Sequence, residues 1–220
     1  MEKPFPTDHP VHELLRRRWS PRAFDPHRRV PPEVIASLLE AARIAPSCFN
    51  EQPWRFLVFD GEDAEALERA RDCLVPGNAA WARRAPMLIL SVAQERWSRD
   101  GTPDRWGQHD VGLSTASLLL QATALGLAAH AMGGFDADRA RRDFGIPDEF
   151  TPMAMIAVGY FGDVETLEPK QKAQELAPRQ RKSMDGIAFH GTWDRPYRLN
   201  LGVSGRTGNI SLPGSPRRRA

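Results

Sequence analysis

The chain has 220 residues, with 30 Lys and Arg against 28 Asp and Glu, a formal net charge of +2 and two cysteines. This length suits one domain, or at most two, with a full hydrophobic core, and the near balance of charge gives no support for nucleic-acid binding. Two cysteines are too few for a disulfide framework or a metal knuckle, and neither an apolar signal region nor a run of membrane length is present, so we expect a cytoplasmic protein without a nucleic-acid or membrane partner.

Hydrophobic periodicity and breaker residues divide the first half of the chain into helices and strands. Helices are predicted where apolar residues recur every three or four positions, and strands where short apolar or β-branched runs lie between turn residues. The predicted elements are a helix from Asp8 or Pro10 to Arg18, a helix from Pro31 or Pro32 to Ala45, a strand over Trp54 to Phe59, helices over Glu62 to Leu74 and Ala79 to Arg84, and a buried strand over Pro86 to Ala93.

The second half begins with the longest predicted helix, from Gln108 to Leu127. Its leucines and alanines surround much of its circumference, so we expect this helix to be buried. The elements that follow are a short strand over Ala128 to Met132, a Gly-Gly turn, a charged helix from Asp136 to Phe144 with Asp136 as N-cap, and a buried strand over Thr151 to Tyr160.

Beyond Gly162 the sequence becomes polar and rich in proline. This composition predicts an extended C-terminal arm with little regular structure, except near Met184 to Phe189. Residues 205–220 have the Gly, Ser, Pro and Arg composition of a disordered basic tail. We therefore predict a single domain over residues 1–204.

The order of these elements indicates an α+β fold, with a mixed central sheet covered by helices on both faces. No Gly-x-Gly-x-x-Gly run joins a strand to a helix, which argues against a Rossmann nucleotide site. The Gly-rich run at 202–208 lies near the C-terminus and is interpreted as a loop.

An anion site is predicted at residues 17–24, Arg17-Arg18-Trp19-Ser20-Pro21-Arg22-Ala23-Phe24, here called the anion grip. Guanidinium groups bind phosphate oxygens in pairs, with more directional specificity than lysine. The grip follows the C-terminus of a helix, where the helix dipole disfavours an anion. The arginines must therefore supply the attraction themselves.

A second polar loop lies at residues 45–54, Ala45-Pro46-Ser47-Cys48-Phe49-Asn50-Glu51-Gln52-Pro53-Trp54, here called the cradle loop. Pro46 ends the preceding helix, and Ser, Asn and Gln stand between two prolines. A rigid loop of this kind can place polar atoms against a flat heterocycle.

These two stretches resemble the Arg-x-Ser-x-basic start and the Pro-Ser-x-x-Asn-x-Gln-Pro-Trp loop of the FMN-dependent nitroreductase family. Three further landmarks stand in the family's order: Ala131-Met132-Gly133-Gly134-Phe135-Asp136, a strand that ends in Gly159-Tyr160, and Arg179-Gln180-Arg181-Lys182. The resemblance covers nearly the whole chain.

The resemblance implies a homodimer with flavin sites at the subunit interface, FMN as cofactor and NAD(P)H as co-substrate. The implied reaction is a ping-pong cycle that passes hydride through FMN to a small electron-poor acceptor, such as a nitroaromatic compound or a quinone. Three other reactions of the same family remain open: flavin fragmentation, dehalogenation and oxidation of peptide-derived rings. A flavin-binding protein without enzymatic activity is the non-enzymatic alternative.

The resemblance also implies roles for individual residues around the flavin. Arg18 and Ser20 are expected at the phosphate and ribityl chain, together with Arg179 and Arg181. Arg22 is expected at the N1 edge, where charge accumulates on reduction. Glycine lets backbone approach the ring closely. The remaining cofactor-binding candidates are Trp19, Asn78 at the pyrimidine edge, Gly133 and Gly134 near N5, and Pro46, Ser47, Cys48, Asn50 and Gln52 of the cradle loop.

The chain departs from the family pattern at Trp81, where relatives often carry a basic residue one helical turn after the position of Asn78. We interpret Cys48 as a packing residue, because no histidine lies near it in sequence. His109-Asp110 is interpreted as a structural helix start. No metal is expected, since the six histidines lack ligand spacing, and no catalytic side chain is assigned, because FMN carries the chemistry.

Overall fold

A four-stranded sheet with the order β1-β2-β4-β3 organises the fold in the computed structural model, which describes residues 3–197. The predicted tail at 205–220 lies outside the described residues, and the boundary at residue 204 stays a prediction. The elements are α1 (Glu13–Arg17), α2 (Pro32–Arg43), β1 (Trp54–Phe59), α3 (Ala64–Asp72), α4 (Pro76–Ala82), β2 (Met87–Gln94), α5 (Gly107–Ala124), β3 (Ala128–Met132), α6 (Ala137–Phe144), β4 (Phe150–Gly159) and α7 (Pro169–Leu176).

All three pairings between the described strands are antiparallel, whereas a mixed sheet was expected. The α+β class itself is confirmed. Connections that contain a helix can return a chain in either direction, so the order of elements did not determine how the strands run. In the observed register Trp54 faces Ala93 at one end of the sheet, and Ala128 faces Gly159 at the other.

Helices cover both faces of the sheet, as predicted. Alternate residues of β2 point to opposite faces. Met87 and Ile89 pack with Leu38 of α2 and Leu118 of α5. On the other face, Leu88 and Leu90 belong to the cluster that contains residues of α3, α4 and α6.

The long helix α5 is not buried all round in a single chain. Ser114, Leu118 and Ala122 are fully buried, but Leu113 is 36% exposed, and Gly112 and Ala116 beside it on the helix are exposed as well. The apolar circumference that predicted a buried helix therefore leaves one side of α5 uncovered. None of the described helices is long and apolar enough to cross a membrane.

The C-terminal arm contains α7, which was not predicted. Pro169 occupies the first turn of this helix, where proline's missing N–H costs nothing. The regular structure expected near Met184 is a short 3₁₀ turn at Met184–Gly186.

The grip joins the same end of the sheet as this arm. Phe24 forms a bridge with Phe161, and the amide of Gly162 donates to the Ala23 carbonyl over 2.9 Å. A Cβ at Gly162 would lie 2.4 Å from the Phe24 carbonyl, so only glycine allows this approach.

Candidate functional site

The anion grip is held by a buried carboxylate from the C-terminal arm. Glu175 of α7 is 1% exposed, and its side chain accepts hydrogen bonds of 2.9 to 3.3 Å from the backbone amides of Arg22 and Ala23. The ammonium group of Lys3 donates to the backbone carbonyl of Glu175. Sequence reasoning missed Glu175, because it was placed in an arm expected to be irregular.

The two arginine clusters predicted to share a phosphate meet in space. Arg18 donates to Ser20 Oγ over 3.2 Å, and Arg179 donates to the carbonyls of Lys3 and Arg16 over 3.0 and 2.7 Å. The guanidinium groups of Arg179 and Arg181 lie 5.3 and 5.6 Å from the ring of Phe5.

These three guanidinium groups repel one another. Burial, with repulsion from Arg181, lowers the pKa of Arg18. Burial also lowers the pKa of Arg179, and Arg18 and Arg181 add to this effect. Arginine stays protonated in proteins, so burial and, after it, mutual repulsion make this cluster unfavourable without an anion. Within residues 3–197, none of Arg18, Arg179 and Arg181 forms a salt bridge with a carboxylate.

Arg22 lies against Trp81 of α4. Its guanidinium carbon lies 5.9 Å from the ring centroid of Trp81, which is 2% exposed. Arg83, two residues after Trp81, pairs with Glu68 and Asp72 instead. At the position where the resemblance implied a second basic side chain, this chain thus has a buried indole beside Arg22.

His130 of β3 also supports the grip, and sequence reasoning missed it. Its Nδ1 lies 2.9 Å from the Pro21 carbonyl, and its ring stacks on Trp81 with centroids 4.6 Å apart. Burial lowers the pKa of His130 to about 4, and the nearby charges of Arg22 and Arg18 act in the same direction. The imidazole is therefore neutral at neutral pH, and donation to Pro21 assigns its proton to Nδ1.

Trp19 of the anion grip packs between Phe161 and Lys3. Its side chain is 8% exposed, stacks on Phe161 with centroids 6.2 Å apart, and lies beneath the ammonium group of Lys3. Trp19 also lines a cavity of about 220 Å³ together with Arg17, Leu127 and other residues.

The Gly-Gly turn lies where β3 ends, and Asn78 braces it. The Asn78 side-chain amide donates to the Gly134 carbonyl over 2.9 Å. A Cβ at Gly134 would approach that amide nitrogen to 2.7 Å, whereas a Cβ at Gly133 would meet open space. Gly134 therefore has a packing reason to be glycine, and Gly133 leaves exposed backbone that a flat ligand can approach.

The cradle loop stores backbone strain. Phe49, Asn50 and Gln52 have positive φ angles of 51°, 58° and 53°, a region that non-glycine residues seldom occupy. Such conformations cost about 1–3 kcal/mol each and are typical of ligand-binding loops. Ser47 Oγ accepts from the Gln52 amide over 3.0 Å, and Asn50 between them is exposed.

Asp110, near the start of α5, anchors the cradle loop. Its side chain is 4% exposed, and Oδ2 accepts from the Cys48 amide over 2.8 Å. Oδ1 lies 2.9 Å from Nδ1 of His109. Asp110 lies in the first turn, as interpreted from sequence, but its two oxygens are bound to the loop and to His109.

Aromatic side chains surround the exposed end of the cradle loop. Phe49 is 79% exposed and meets Trp97 edge-on, with ring centroids 5.9 Å apart. The guanidinium carbon of Arg99 lies 5.1 and 4.5 Å from these two rings. This places the loop between β2 and α5 directly beside the cradle loop.

In one chain the grip and the cradle loop lie at opposite ends of α5. Asp110 binds the cradle loop, whereas Thr123 lines the cavity beside Arg17 and Trp19. At 1.5 Å per residue, the helix from Asp110 to Thr123 spans about 20 Å. The two sets of candidates are thus brought together within each set, but not with one another.

The geometry of the described residues supports neither a metal site nor a reactive Cys73 thiol. Among the described residues, no group of three His, Cys, Asp or Glu side chains could hold a metal ion. Cys73 is buried, and burial raises the pKa of its thiol to about 11, so it is unreactive at neutral pH. Cys48 is a free, half-buried cysteine whose backbone amide makes the contact with Asp110.

Comparison with known proteins decides the family. A model of the nitroreductase family matches residues 15–160. The chain belongs to the nitroreductase family. It is 34% identical to a crystal structure described as an oxidoreductase containing FMN, with a TM-score of 0.81, over 87% of this chain and 96% of that one.

Two curated relatives extend this nitroreductase comparison. The chain is 36% identical over 138 residues to an uncharacterized 15.4 kDa protein of Mycolicibacterium smegmatis, which covers 62% of this chain and 91% of the relative. It is 39% identical over 111 residues to the major NAD(P)H-flavin oxidoreductase of Aliivibrio fischeri, which covers 49% of this chain and 47% of that protein.

Because His130 is neutral in the folded protein, we expect the free energy of unfolding to fall in acid. The folded pKa is about 4 and the ordinary value 6.5. The unfolded chain therefore binds the extra proton first, and stability is lost as pH falls from about 6.5 toward 4. The loss is roughly 1–3 kcal/mol, because each pKa unit corresponds to about 1.4 kcal/mol and the ring is partly exposed.

Urea unfolding at several pH values measures this difference. His130→Gln should flatten the dependence of the unfolding free energy on pH between about 6.5 and 4 relative to the unsubstituted protein. The matched variant His27→Gln replaces an exposed histidine and should keep the original slope. The same slope in both variants would contradict the assigned role of His130.

Proposed function

We propose that this member of the nitroreductase family is an FMN-dependent oxidoreductase that passes reducing equivalents from NAD(P)H to a nitroaromatic compound or a quinone in a ping-pong cycle. The observation that carries the proposal is the cluster of Arg18, Arg179 and Arg181, which lacks a carboxylate partner in the described part of the chain. A phosphate dianion relieves the mutual repulsion of these cations and accepts their paired hydrogen bonds. The proposal includes a cytoplasmic location.

The residues present fit FMN in three respects. The cationic cluster suits its phosphate, the open face at Gly133 suits a flat ring, and the strained cradle loop presents the exposed side chain of Asn50. We assign the phosphate to Arg18, Ser20, Arg179 and Arg181, the ring to Arg22, Asn78, Gly133 and Gly134, and the covering of the ring to Pro46, Ser47, Cys48, Asn50 and Gln52, with Trp19 beneath the grip.

The protein's own contribution is binding, orientation and electrostatics. When bound, FMN accepts a hydride equivalent from NAD(P)H and passes it to the acceptor. Arg22 supplies a fixed positive charge that favours the reduced, anionic form of the cofactor. Glu175 and His130 hold the backbone around Arg22, so that this charge is in place before reaction.

The complete site is proposed to form in a homodimer. The cradle loop and the grip of one chain are separated by about 20 Å of helix, so a second copy brings its cradle loop to the grip of the first. The exposed side of α5, which carries Gly112, Leu113 and Ala116, is the surface proposed to be covered by the second copy.

Anaerobic half-reactions test the proposed activity. The purified protein should be yellow and release FMN, not FAD, on denaturation. NADH or NADPH alone should bleach the flavin absorbance with one equivalent per site, and a quinone should then restore it. Double-reciprocal plots of steady-state rates should be parallel, as expected for a ping-pong cycle.

A flavin-binding protein without enzymatic activity behaves differently in the same experiment. It holds FMN, but neither nicotinamide bleaches the flavin within the time of a turnover. That result, or recovery of FAD as the sole flavin, would contradict the proposed function.

Mixing two inactive variants tests the shared site. If Arg22 and Asn50 serve one site from different chains, Arg22→Ala and Asn50→Ala dimers should each be inactive. After subunit exchange, each mixed dimer has one doubly damaged site and one intact site. About a quarter of the wild-type activity should therefore return under random pairing.

Native mass spectrometry provides the control for this mixture, because it shows whether subunits have exchanged. Mixed dimers with no recovered activity would mean that Arg22 and Asn50 act on a site from the same chain.

A further inference from the structure

We propose that His109 is a catalytic proton donor to the acceptor oxygen during reduction. This inference rests on the proposed function and deepens it. Reduction of the acceptor needs a proton in addition to the hydride equivalent, and the inference assigns that proton to a side chain. The observations are an oriented histidine–aspartate pair, its attachment to the cradle loop, and a free ring nitrogen exposed to solvent.

The orientation of His109 comes from a buried carboxylate. Asp110 Oδ1 lies 2.9 Å from His109 Nδ1, and the Asp110 side chain is 4% exposed. Because a carboxylate oxygen can only accept, the short contact places a proton on Nδ1. The second ring nitrogen, Nε2, is then the atom that gains and loses a proton.

Nε2 is available to a ligand. The His109 side chain is 59% exposed, and no hydrogen bond to Nε2 is found among residues 3–197. The ring of Trp106, which is 39% exposed, meets the imidazole edge-on with centroids 5.9 Å apart. An aromatic wall and an oriented imidazole therefore border the same open space.

The position of His109 connects it to the flavin site. The carboxylate that orients the ring also accepts the Cys48 amide, so His109 and the cradle loop are tied to one side chain. His109 lies one turn before Leu113 on the exposed side of α5, the side proposed to face the second copy. In the proposed dimer, the cradle loop covers the flavin of the partner subunit. His109 lies close to that flavin because Asp110 ties it to the cradle loop.

The chemistry needs such a donor. A quinone becomes a hydroquinone by gaining one hydride and one proton; NAD(P)H supplies the hydride equivalent through the proposed cycle. As the acceptor C=O bond becomes a C–O single bond, its oxygen takes the Nε2 proton of the doubly protonated ring; the N–H bond breaks, an O–H bond forms, and the ring is left neutral with its proton on Nδ1. The neutral ring then regains a proton at Nε2 from solvent before the next turnover.

Two acceptors separate proton donation from electron transfer. Ferricyanide takes electrons without protons, whereas a quinone needs both. In anaerobic stopped-flow experiments, His109→Gln should slow reoxidation by the quinone at least about 10-fold, since general acids contribute 10²–10⁴-fold. Reoxidation by ferricyanide, reduction by NAD(P)H and FMN affinity should each stay within about twofold of the unsubstituted protein.

The matched variant His27→Gln, at an exposed position outside the site, should change none of these rates. Equal slowing with quinone and ferricyanide, or no slowing with quinone, would overturn the proposal. If neither nicotinamide reduces the protein, the proposed function fails instead, and that outcome is distinguished by the first half-reaction.

A second readout does not depend on turnover. Long-range ¹H–¹⁵N spectra of the FMN-loaded protein should show neutral His109 with its proton on Nδ1, and Asp110→Asn should abolish that preference. Free imidazole should partly restore quinone reoxidation in His109→Ala. A proton found on Nε2 in the unsubstituted protein, or no effect of Asp110→Asn, would overturn the assigned pair.

Discussion

Three cations held together at a partly buried place are the constraint on which the proposed site depends. Arg18 comes from the start of the chain, and Arg179 and Arg181 from its C-terminal arm; burial first, and the charges of the other arginines second, lower the pKa of Arg18 and of Arg179. Folding the chain without an anion leaves this cost in place. In the proposed function, a bound phosphate turns the same arrangement into paired, charge-assisted hydrogen bonds.

The side chains that impose this constraint act mostly through backbone atoms. Glu175 holds the turn through two backbone amides, His130 through the Pro21 carbonyl, and Arg179 is fastened to the carbonyls of Lys3 and Arg16. Since these bonds use backbone groups, they position the guanidinium groups without neutralising them. The opposite end of α5 is held in the same way, because the Asp110 carboxylate accepts a hydrogen bond from the backbone amide of Cys48 in the cradle loop.

Sequence motifs predicted the candidate ligand contacts and missed the residues that position them. The arginines, the cradle loop and the Gly-Gly turn stand in recognisable motifs, since binding a ligand restricts residue type and spacing. Glu175 and His130 act on backbone atoms far away in sequence, and nothing in their own neighbourhoods indicates this. Strand direction was also beyond the sequence, whereas α7 carried a signal at Pro169 that the polar, Pro-rich composition of the arm obscured.

Comparing FMN with riboflavin, which lacks only the phosphate, tests the role of the arginine cluster most directly. By titration, the apoprotein should bind FMN at least about 100-fold more tightly than riboflavin, since each charged contact contributes about 1.5–3 kcal/mol. Arg181→Ala should weaken FMN binding by about 10- to 100-fold and leave riboflavin binding within about twofold, while Arg142→Ala, an exposed arginine outside the cluster, should change neither. Equal affinities for the two flavins, or an equal loss of both in Arg181→Ala, would contradict a phosphate site at Arg18, Arg179 and Arg181.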